Sequence, residues 1–309
     1  MPSVTVRAPA KINLQLAVGA ARSDGFHEVA TVYHAVSLYD DVTAATGEGL
    51  VVTVGGEKDV DVAAVPQDES NLVARAALAL AEHTGVEPDV RLHVHKGVPV
   101  AGGMAGGSGD AAAALVACDA LWGTGLSRSE MLRLAARLGS DVPFALMGGT
   151  AVGLGRGELL TPALARGRFE WVLALADGGL ATPKVYAECD RLRAGRVLPE
   201  PRVSDRLMAA LRAGDAPALG RSLRNDLQPA ACNLRPLLRQ ALEVAEEYGA
   251  LGAVVSGSGP TVALLVRDTE HALDLAVALS ASGACRSVKR AHGPVAGARV
   301  ADGHLSRAT

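Results

Sequence analysis

Aromatic side chains are scarce in this sequence and make up only 3% of its 309 residues. A core with so few rings must be built from Ala, Val and Leu, whose small side chains let neighbouring elements approach closely. Glycine is abundant, with 35 residues, and such a density is typical of tight turns and of loops whose backbone approaches a ligand. The hydrophobic fraction of 49% indicates a globular protein. The chain is long enough for two cores of about 150 residues each.

The sequence also lacks an excess of positive charge, paired cysteines and a long hydrophobic run. Its net charge is -3 and its pI about 6.2, whereas nucleic-acid-binding proteins normally show a basic face. Four scattered cysteines without a Cys-x-x-Cys pair predict a reducing compartment and exclude a disulfide framework or zinc cluster. No uncharged run reaches the ~18 residues that span a bilayer, and the first residues show no basic segment followed by an apolar one, so a signal peptide is not expected. We expect a cytoplasmic protein without nucleic-acid or membrane partners; nothing indicates an oligomeric state.

The hydrophobic pattern changes near residue 165, which predicts domains at 1–165 and 166–309. Strands in the first half are predicted at 4–6, 29–38, 50–54 and 89–95, and helices at 71–83, 110–121 and 127–138. In the second half, strands are predicted at 171–176, 253–256, 261–266 and 286–291, and helices at 183–192, 204–212, 216–224, 235–248 and 270–280. Residues 193–202 have the composition of a linker, and the tail from 293 is predicted to be loosely ordered. Neither half repeats a regular βαβα order, which favours an α+β fold.

A glycine-rich loop runs from Pro99 to Gly109, between a predicted strand and an alanine-rich helix. Converging backbone N–H groups and a helix N-terminus make such a loop a candidate phosphate site. A Walker A loop would need a terminal Gly-Lys-Ser/Thr, and Gly106-Gly107-Ser108 has no lysine. A dinucleotide fingerprint would need an acidic residue on a second strand ~20 residues later, whereas another helix follows here. A flexible turn without a ligand is the third interpretation of this segment.

Five segments, spread over most of the chain, occur in an order that resembles the galactokinase, homoserine kinase and mevalonate kinase (GHMP) superfamily. They are Pro9-Ala10-Lys11-Ile12-Asn13-Leu14, Asp24-Gly25-Phe26-His27, the loop Pro99–Ser108, Gly139-Ser140-Asp141-Val142-Pro143-Phe144 and Ser256-Gly257-Ser258-Gly259-Pro260-Thr261. The second and fourth segments resemble the diphosphocytidyl-methylerythritol kinase branch. The resemblance implies two domains, ribosomal-protein-S5-like and ferredoxin-like, with the active site in the cleft between them.

The resemblance implies a small-molecule kinase that uses ATP and Mg²⁺. Its substrate would be 4-diphosphocytidyl-2-C-methyl-erythritol, phosphorylated on the 2-hydroxyl in the non-mevalonate isoprenoid pathway. One alternative is a sister kinase of homoserine, mevalonate or a sugar, which the Asp24-Gly25-Phe26-His27 segment disfavours. The other is a catalytically silent, nucleotide-binding regulator, which the presence of both Lys11 and Asp141 disfavours.

Lys11 and Asp141 match the catalytic positions of the family. Phosphoryl transfer to an alcohol needs alignment, charge neutralisation and an acceptor for the hydroxyl proton. The resemblance implies that Asp141 is that acceptor and that Lys11 orients the alcohol and offsets developing negative charge. From spacing alone, Asp141 could instead cap the turn that enters Pro143-Phe144, and Lys11 could be a solvated lysine at a strand end.

The resemblance implies an ATP site formed by Lys96 and the glycine loop. The loop residues are Pro99, Val100, Ala101, Gly102, Gly103, Met104, Ala105, Gly106, Gly107, Ser108 and Gly109. Ser108 would contact Mg²⁺ or the β-phosphate, although a helix N-cap is an equal alternative for a serine at this junction. Lys96 could also be a solvated lysine at a strand end.

The same resemblance places the organic substrate on Asn13, Phe26, His27, Thr182 and Tyr186. Asn13 lies two residues after Lys11 and therefore on the same strand face. Phe26 and Tyr186 would stack on the cytosine ring, although Tyr186 could simply pack on its helix. His93 and His95 are two apart on a predicted strand, and without a third ligand nearby they are interpreted as its polar face.

Overall fold

The computed structural model describes the backbone of residues 2–306 and the side chains of residues 2–301. Its strands are β1 (Ser3–Ala21), β2 (His27–Thr46), β3 (Leu50–Gly56), β4 (Val90–Lys96), β5 (Thr150–Leu154), β6 (Leu159–Pro162), β7 (Phe169–Leu175), β8 (Arg224–Asn225), β9 (Gly252–Val255), β10 (Thr261–Val266), β11 (Ser287–Gly293) and β12 (Arg299–Ser306). Its helices are α1 (Leu72–Thr84), α2 (Gly106–Trp122), α3 (Arg128–Leu138), α4 (Val142–Met147), α5 (Thr182–Arg193), α6 (Asp205–Ala213), α7 (Ala216–Gly220), α8 (Gln228–Leu234), α9 (Leu237–Glu247) and α10 (Thr269–Ser282).

The first sheet is built on a long antiparallel hairpin of β1 and β2 and has the order β12-β1-β2-β4-β3. β5 also pairs with β2, β6 with β5, and β8 with β1. Valine and alanine from β1, β2 and β4 pack against alanine-rich faces of α1 and α2, with leucines from α3. Small side chains let these helices lie close to the sheet, as the scarcity of aromatics predicts.

The second sheet is antiparallel throughout and has the order β11-β7-β10-β9. One face packs on α5, α8, α9 and α10. Its other face shares a core with the middle of β1 and β2, where Ile12 and Leu14 meet Trp171 and Leu173. The two sheets are therefore joined by a continuous apolar layer, and side chains on the opposite face of β1 are left for the site.

Two strands cross the predicted boundary near residue 165, since β8 and β12 come from the second half but pair with β1. All other strands of the first sheet end by Pro162, and those of the second begin at Phe169. The exact boundary at 165 and 166 stays a prediction.

Several predicted elements were wrong in extent. The tail from 293 is not loosely ordered throughout, because its backbone forms β12 beside β1. Helix α2 begins at Gly106 rather than Asp110, because glycine weakens helix propensity without preventing a first turn fixed by tertiary packing. The hairpin of β5 and β6 and the short helix α8 were missed, and α8 carries a proline at its start that hid its pattern. The linker at 193–202 contains no strand and only the last residue of α5, Arg193.

Candidate active site

A cavity of about 960 Å³ opens where the β1–β2 hairpin, the start of α2, the start of α4, helix α5 and the Ser256–Pro260 turn meet. Every predicted catalytic and substrate residue lines it, as do Lys96 and most of the glycine loop. Met104 and Gly109 are the exceptions among the predicted site residues, because Met104 is buried in the core between the sheets and Gly109 in the first turn of α2 against β1. The structure thus brings together residues from five segments that are far apart in the sequence.

The side chains of Lys11 and Asn13 project from β1 on the face opposite Ile12. They therefore reach the cavity, while the Ile12 side chain enters the core. The Lys11 ammonium donates to Asn13 Oδ1 at 2.7 Å. Asn13 Nδ2 in turn donates to the Thr31 hydroxyl at 2.7 Å, and Thr31 donates to the Gln15 carbonyl. Lys11 is 7% exposed, so the alternative of a solvated lysine is wrong.

Asp141 stands at the N-terminus of the short helix α4, which Pro143 helps to start. Among the residues that the structure describes, its carboxylate accepts no capping hydrogen bond, so the alternative of a simple helix cap is wrong. Its Oδ2 lies 3.7 Å from the Lys11 ammonium, and 29% of its side chain is exposed. The carboxylate is therefore held beside a cation and remains open to the cavity.

Tyr33 on β2 forms the wall behind this ion pair, with its ring 5.4 Å from the Lys11 ammonium. Burial, and then the neighbouring Asp141 carboxylate, raises the pKa of Tyr33 well above its usual range. The phenol is therefore neutral at physiological pH and can donate a hydrogen bond toward Asp141. No sequence pattern pointed to Tyr33, because a tyrosine within a long strand has the pattern of a core residue.

The glycine loop turns into α2 at Ala105, which is the N-cap and has a left-handed backbone with φ of 56°. No side chain of the described residues caps α2, which leaves the first backbone N–H groups free to bind an anion. Ser108 is the third residue of the helix and lines the cavity. Its alternative role as N-cap is therefore wrong.

The loop is docked on β1 and on the Ser256–Pro260 turn. The Lys11 backbone N–H donates to the Met104 carbonyl at 3.1 Å, and the Met104 side chain is buried in the core between the sheets. The Ser256 hydroxyl donates to the Gly103 carbonyl at 3.1 Å. A Cβ on Gly103 would lie 2.4 Å from the Ser256 carbonyl oxygen, so only glycine permits this approach.

Replacement of Gly103 by alanine is expected to lower both stability and ATP affinity. Gly85 is the matched control, because it also has a left-handed backbone but its added Cβ would meet no atom within 4 Å. Gly85→Ala should cost about 1 kcal/mol of unfolding free energy from backbone strain alone. Gly103→Ala should cost a further 1–3 kcal/mol or so from the clash. Denaturant unfolding measures the stability of both variants. Equal losses of unfolding free energy would show that the loop is not held against the turn.

Lys96 lies beneath the loop in a buried ion cluster. Its ammonium contacts the carboxylates of Asp40 and Asp110, the latter at 2.7 Å, and Asp40 Oδ1 also accepts from the backbone N–H groups of Gly97 and Val98 at 2.8 Å. The alternative of a solvated lysine is wrong here too, since Lys96 is 2% exposed. Burial disfavours its charge, but the two carboxylates outweigh burial and raise the pKa of Lys96. Its ammonium is already engaged, so the geometry favours support of the loop over a direct nucleotide contact.

The far end of the cavity holds the predicted base-binding residues. Tyr186 lies against the His27 ring, with centroids 4.8 Å apart, and the guanidinium of Arg156 lies 4.8 Å above the Phe26 ring. Within the described side chains, Phe26 and Tyr186 do not contact each other. Thr182 bonds to the Ser258 hydroxyl at 2.8 Å, which ties the start of α5 to the Ser256–Pro260 turn.

His93 and His95 both project from the polar face of β4, and His93 bonds to the Thr53 hydroxyl at 2.9 Å. No group of three or more metal-binding side chains occurs among the described residues. Two residues that line the cavity do offer oxygen ligands, namely the Asp141 carboxylate and the Ser108 hydroxyl. Magnesium usually keeps several waters and is held by one or two protein oxygens together with substrate phosphates, and this sparse donor set fits that mode.

Comparison with known proteins decides the family. The model of the GHMP kinases N terminal domain matches residues 71–149, and that of the GHMP kinases C terminal matches residues 207–285. A 4-diphosphocytidyl-2-C-methyl-D-erythritol kinase from Thermobifida fusca is 59% identical over 303 residues, which cover 96% of this chain and 98% of the relative. The chain belongs to the 4-diphosphocytidyl-2-C-methyl-D-erythritol kinase family. A second relative of that name, from Streptomyces avermitilis, is 57% identical and covers 96% of this chain and 99% of its own.

The structural comparison agrees with this family. A crystal structure of 4-(cytidine 5'-diphospho)-2C-methyl-D-erythritol kinase has a TM-score of 0.75 at 30% identity, covering 93% of this chain and 98% of that chain. The predicted α+β kinase fold with two domains is thereby confirmed, and the family is one of small-molecule kinases that use ATP. In the part of the chain that the structure describes, no helix is both long and apolar enough to cross a bilayer.

Sequence reasoning missed several residues of the cavity. Tyr33, Arg156 and Asp190 line it without belonging to any of the five segments, and Pro66 and Leu72 form its edge beside the glycine loop. Ser258 could have been found, since it lies within the quoted Ser-Gly-Ser-Gly-Pro segment. Asp40 and Asp110 carried no signal because their ion pairs with Lys96, across 56 and 14 residues, leave no local pattern.

Proposed function

We propose that this chain transfers the γ-phosphate of ATP to the 2-hydroxyl of 4-diphosphocytidyl-2-C-methyl-D-erythritol, in the cytoplasmic non-mevalonate route to isoprenoids. One observation carries the proposal. The ion pair of Lys11 and Asp141 lies at the junction between a phosphate-type loop and a pocket of aromatic rings, within a single cavity. The family supplies the identity of the substrate.

The two charged residues divide the chemistry between them. Asp141 accepts the proton of the 2-hydroxyl as the alcohol oxygen bonds to the γ-phosphorus and the bond from that phosphorus to the bridging oxygen of ADP breaks. Lys11 offsets the negative charge on the transferring phosphoryl group, in a site where burial strengthens that interaction. Asn13 fixes the lysine through the 2.7 Å hydrogen bond, and Tyr33 walls the pair off from bulk water.

The nucleotide lies with its phosphates at the N-terminus of α2. The N–H groups of Gly106, Gly107 and Ser108, which no side chain of the described residues caps, and the positive end of the helix dipole suit the β- and γ-phosphates. Ser108 and Asp141 are the protein oxygens that would hold a Mg²⁺ ion bound together with the nucleotide, and that ion would supply further charge neutralisation. Lys96, Asp40 and Asp110 hold the entry to the loop in place from below.

The cytidine end of the substrate occupies the pocket of Phe26, His27, Thr182 and Tyr186. Arg156 covers one face of Phe26, so a base that stacks on that face takes the place of the guanidinium. The displaced cation remains beside the base and the adjoining diphosphate, where its charge is favourable. A sister kinase for homoserine, mevalonate or galactose would have no use for this ring-lined extension.

Loss of the Tyr186 ring should weaken binding of the alcohol substrate and leave binding of ATP unchanged. We expect Tyr186→Ala to cost about 1–3 kcal/mol, the usual range for a ring that stacks on a base. The loss should appear mainly in KM for the alcohol, because a remote contact acts equally in the ground and transition states. Tyr186→Phe keeps the ring and serves as the control. An unchanged KM in a folded Tyr186→Ala protein would show that the base lies elsewhere, and Phe26→Ala tests the opposite wall in the same way.

Identification of the product tests the proposed reaction. The protein is incubated with ATP, Mg²⁺ and 4-diphosphocytidyl-2-C-methyl-D-erythritol, and the product is examined by ³¹P NMR. Carbon 2 carries a methyl group and no hydrogen, so a phosphate on its oxygen shows no three-bond coupling to a proton. We expect such an uncoupled phosphomonoester. A coupled resonance would place the phosphate on another hydroxyl, and release of inorganic phosphate alone would contradict a kinase.

A further inference from the structure

Asp190 belongs to none of the five segments that resemble the family, yet it lines the cavity beside the proposed base-binding residues. Its Oδ1 is 2.9 Å from Nε2 of His27, across 163 residues of sequence. Asp190 follows Tyr186 by one helical turn on α5, and the His27 ring packs on that same Tyr186. Helix α5 therefore holds the imidazole in two ways, by a ring contact and by a carboxylate.

The carboxylate determines which nitrogen of His27 carries hydrogen. An ionised carboxylate can only accept, so the hydrogen of a neutral imidazole resides on Nε2 and Nδ1 is left as an acceptor. The His27 side chain is only 7% exposed, whereas that of Asp190 is 46% exposed. Nδ1 makes no hydrogen bond with any side chain or backbone group of the described residues, and His27 lines the cavity. Nδ1 of His27 is thus an acceptor without a partner among the described residues, and it is held at a fixed place in the cavity.

An unpaired acceptor distinguishes the two pyrimidines that have the same shape. Cytosine carries an amino group at position 4, which donates, while uracil carries a carbonyl oxygen there, which accepts. We infer that Asp190 is a specificity-determining residue, which holds His27 in the Nε2–H tautomer so that Nδ1 accepts from the cytosine amino group and repels uracil. The inference rests on the proposed function, because it assumes that a cytidine diphosphate ester occupies this pocket. Asp190 is a positioning residue and touches no reacting atom.

A series of substitutions separates tautomer control from simple support of the pocket. Asp190→Asn keeps an acceptor oxygen but can also turn its amide, Asp190→Ala removes the partner, and Asp190→Lys offers only donors. Preference is measured as the ratio of kcat/KM for the cytidine substrate to that for its uridine analogue. The ratio should fall in the order wild type, Asn, Ala, Lys, with a drop of about tenfold at Ala, the size expected for one hydrogen bond. A general loss of pocket structure would lower kcat/KM for both substrates by the same factor and leave their ratio unchanged.

Glu188→Ala is the matched control. It removes a carboxylate from the same helix, where Glu188 bonds to Arg191 at 2.7 Å outside the cavity. Its cytidine-to-uridine ratio should equal that of the wild type. If the Asp190→Lys protein does not fold, the Asn and Ala variants still order the series.

The tautomer itself is measured by ¹⁵N NMR of protein labelled in its eight histidines. The His27 signals are assigned by their loss in His27→Gln. We expect a bare Nδ1 and a hydrogen-bearing Nε2 in the wild type, and loss of that preference in Asp190→Ala. Hydrogen on Nδ1 in the wild type, or an unchanged ratio across the series with cytidine turnover intact, would overturn the inference. Absence of turnover of the cytidine substrate in the wild type would instead contradict the proposed function. The NMR result would still show whether Asp190 sets the tautomer of His27.

Discussion

Asp141→Asn should reduce turnover by about 10²–10⁴, the contribution usual for a positioned general base. Asparagine has nearly the shape of aspartate but cannot take the proton of the 2-hydroxyl. The carboxylate makes no capping hydrogen bond within the described residues, so α4 loses no partner in the exchange. ATP affinity measured without Mg²⁺ should hardly change, because we propose that the phosphates bind to the backbone N–H groups of α2 and not to Asp141. Single-turnover kinetics measures the first quantity and calorimetric titration of ATP the second.

The control for this exchange is Asp205→Asn, which makes the same change in the first turn of the exposed start of α6. Its turnover should match that of the wild type. Near-normal turnover in a folded Asp141→Asn protein would rule out the carboxylate as base and leave it a role in orienting Lys11.

Lys11→Met should lower kcat by about 10²–10³, the loss seen when one preorganised electrostatic contact to a transition state is removed. Methionine fills the space of the lysine stem and removes only the charge and its hydrogen bonds. It leaves Asn13 Oδ1 without its 2.7 Å donor and Asp141 without its neighbouring cation. We therefore also expect the protein to lose about 1–3 kcal/mol of stability from unpaired polar groups.

The exposed Lys58 provides the comparison, because Lys58→Met removes the same charge from the surface. That variant should keep both kcat and stability. If Lys11→Met kept its kcat while losing stability, Lys11 would be a structural residue of β1 and the phosphoryl group would be neutralised elsewhere.

The residues that could be predicted from sequence are those whose roles leave a local pattern. Glycine repeats before an alanine-rich helix predict a candidate phosphate loop on physical grounds, and the Gly-Ser-Asp-Val-Pro-Phe segment predicts Asp141 as the base by family resemblance. Even for these segments, the sequence does not predict which side chains face the cavity and which are buried. Met104 is buried in the core between the sheets, while Ser108 and Gly109 lie within the first turn of α2.

The residues that could not be predicted depend on contacts between distant parts of the chain. His27 meets Asp190 across 163 residues, and Lys96 meets Asp40 across 56. Such pairs form because the hairpin, α2 and α5 converge, and none of these elements alone determines that meeting. Strand β12 was missed for a similar reason, because its pairing with β1 is long-range. The strand also follows a glycine-containing stretch whose sequence resembles a loop.

The most direct test of the proposed activity is a comparison of kcat/KM for ATP-dependent phosphorylation across four alcohols. The panel contains 4-diphosphocytidyl-2-C-methyl-D-erythritol, homoserine, mevalonate and galactose, each with ATP and Mg²⁺. We predict turnover of the cytidine diphosphate alcohol at least about 10³ times more efficient than of the other three, since these lack the base that we assign to the pocket of His27 and Tyr186. Comparable or greater efficiency with homoserine, mevalonate or galactose would contradict the assignment of this cavity to a cytidine diphosphate substrate.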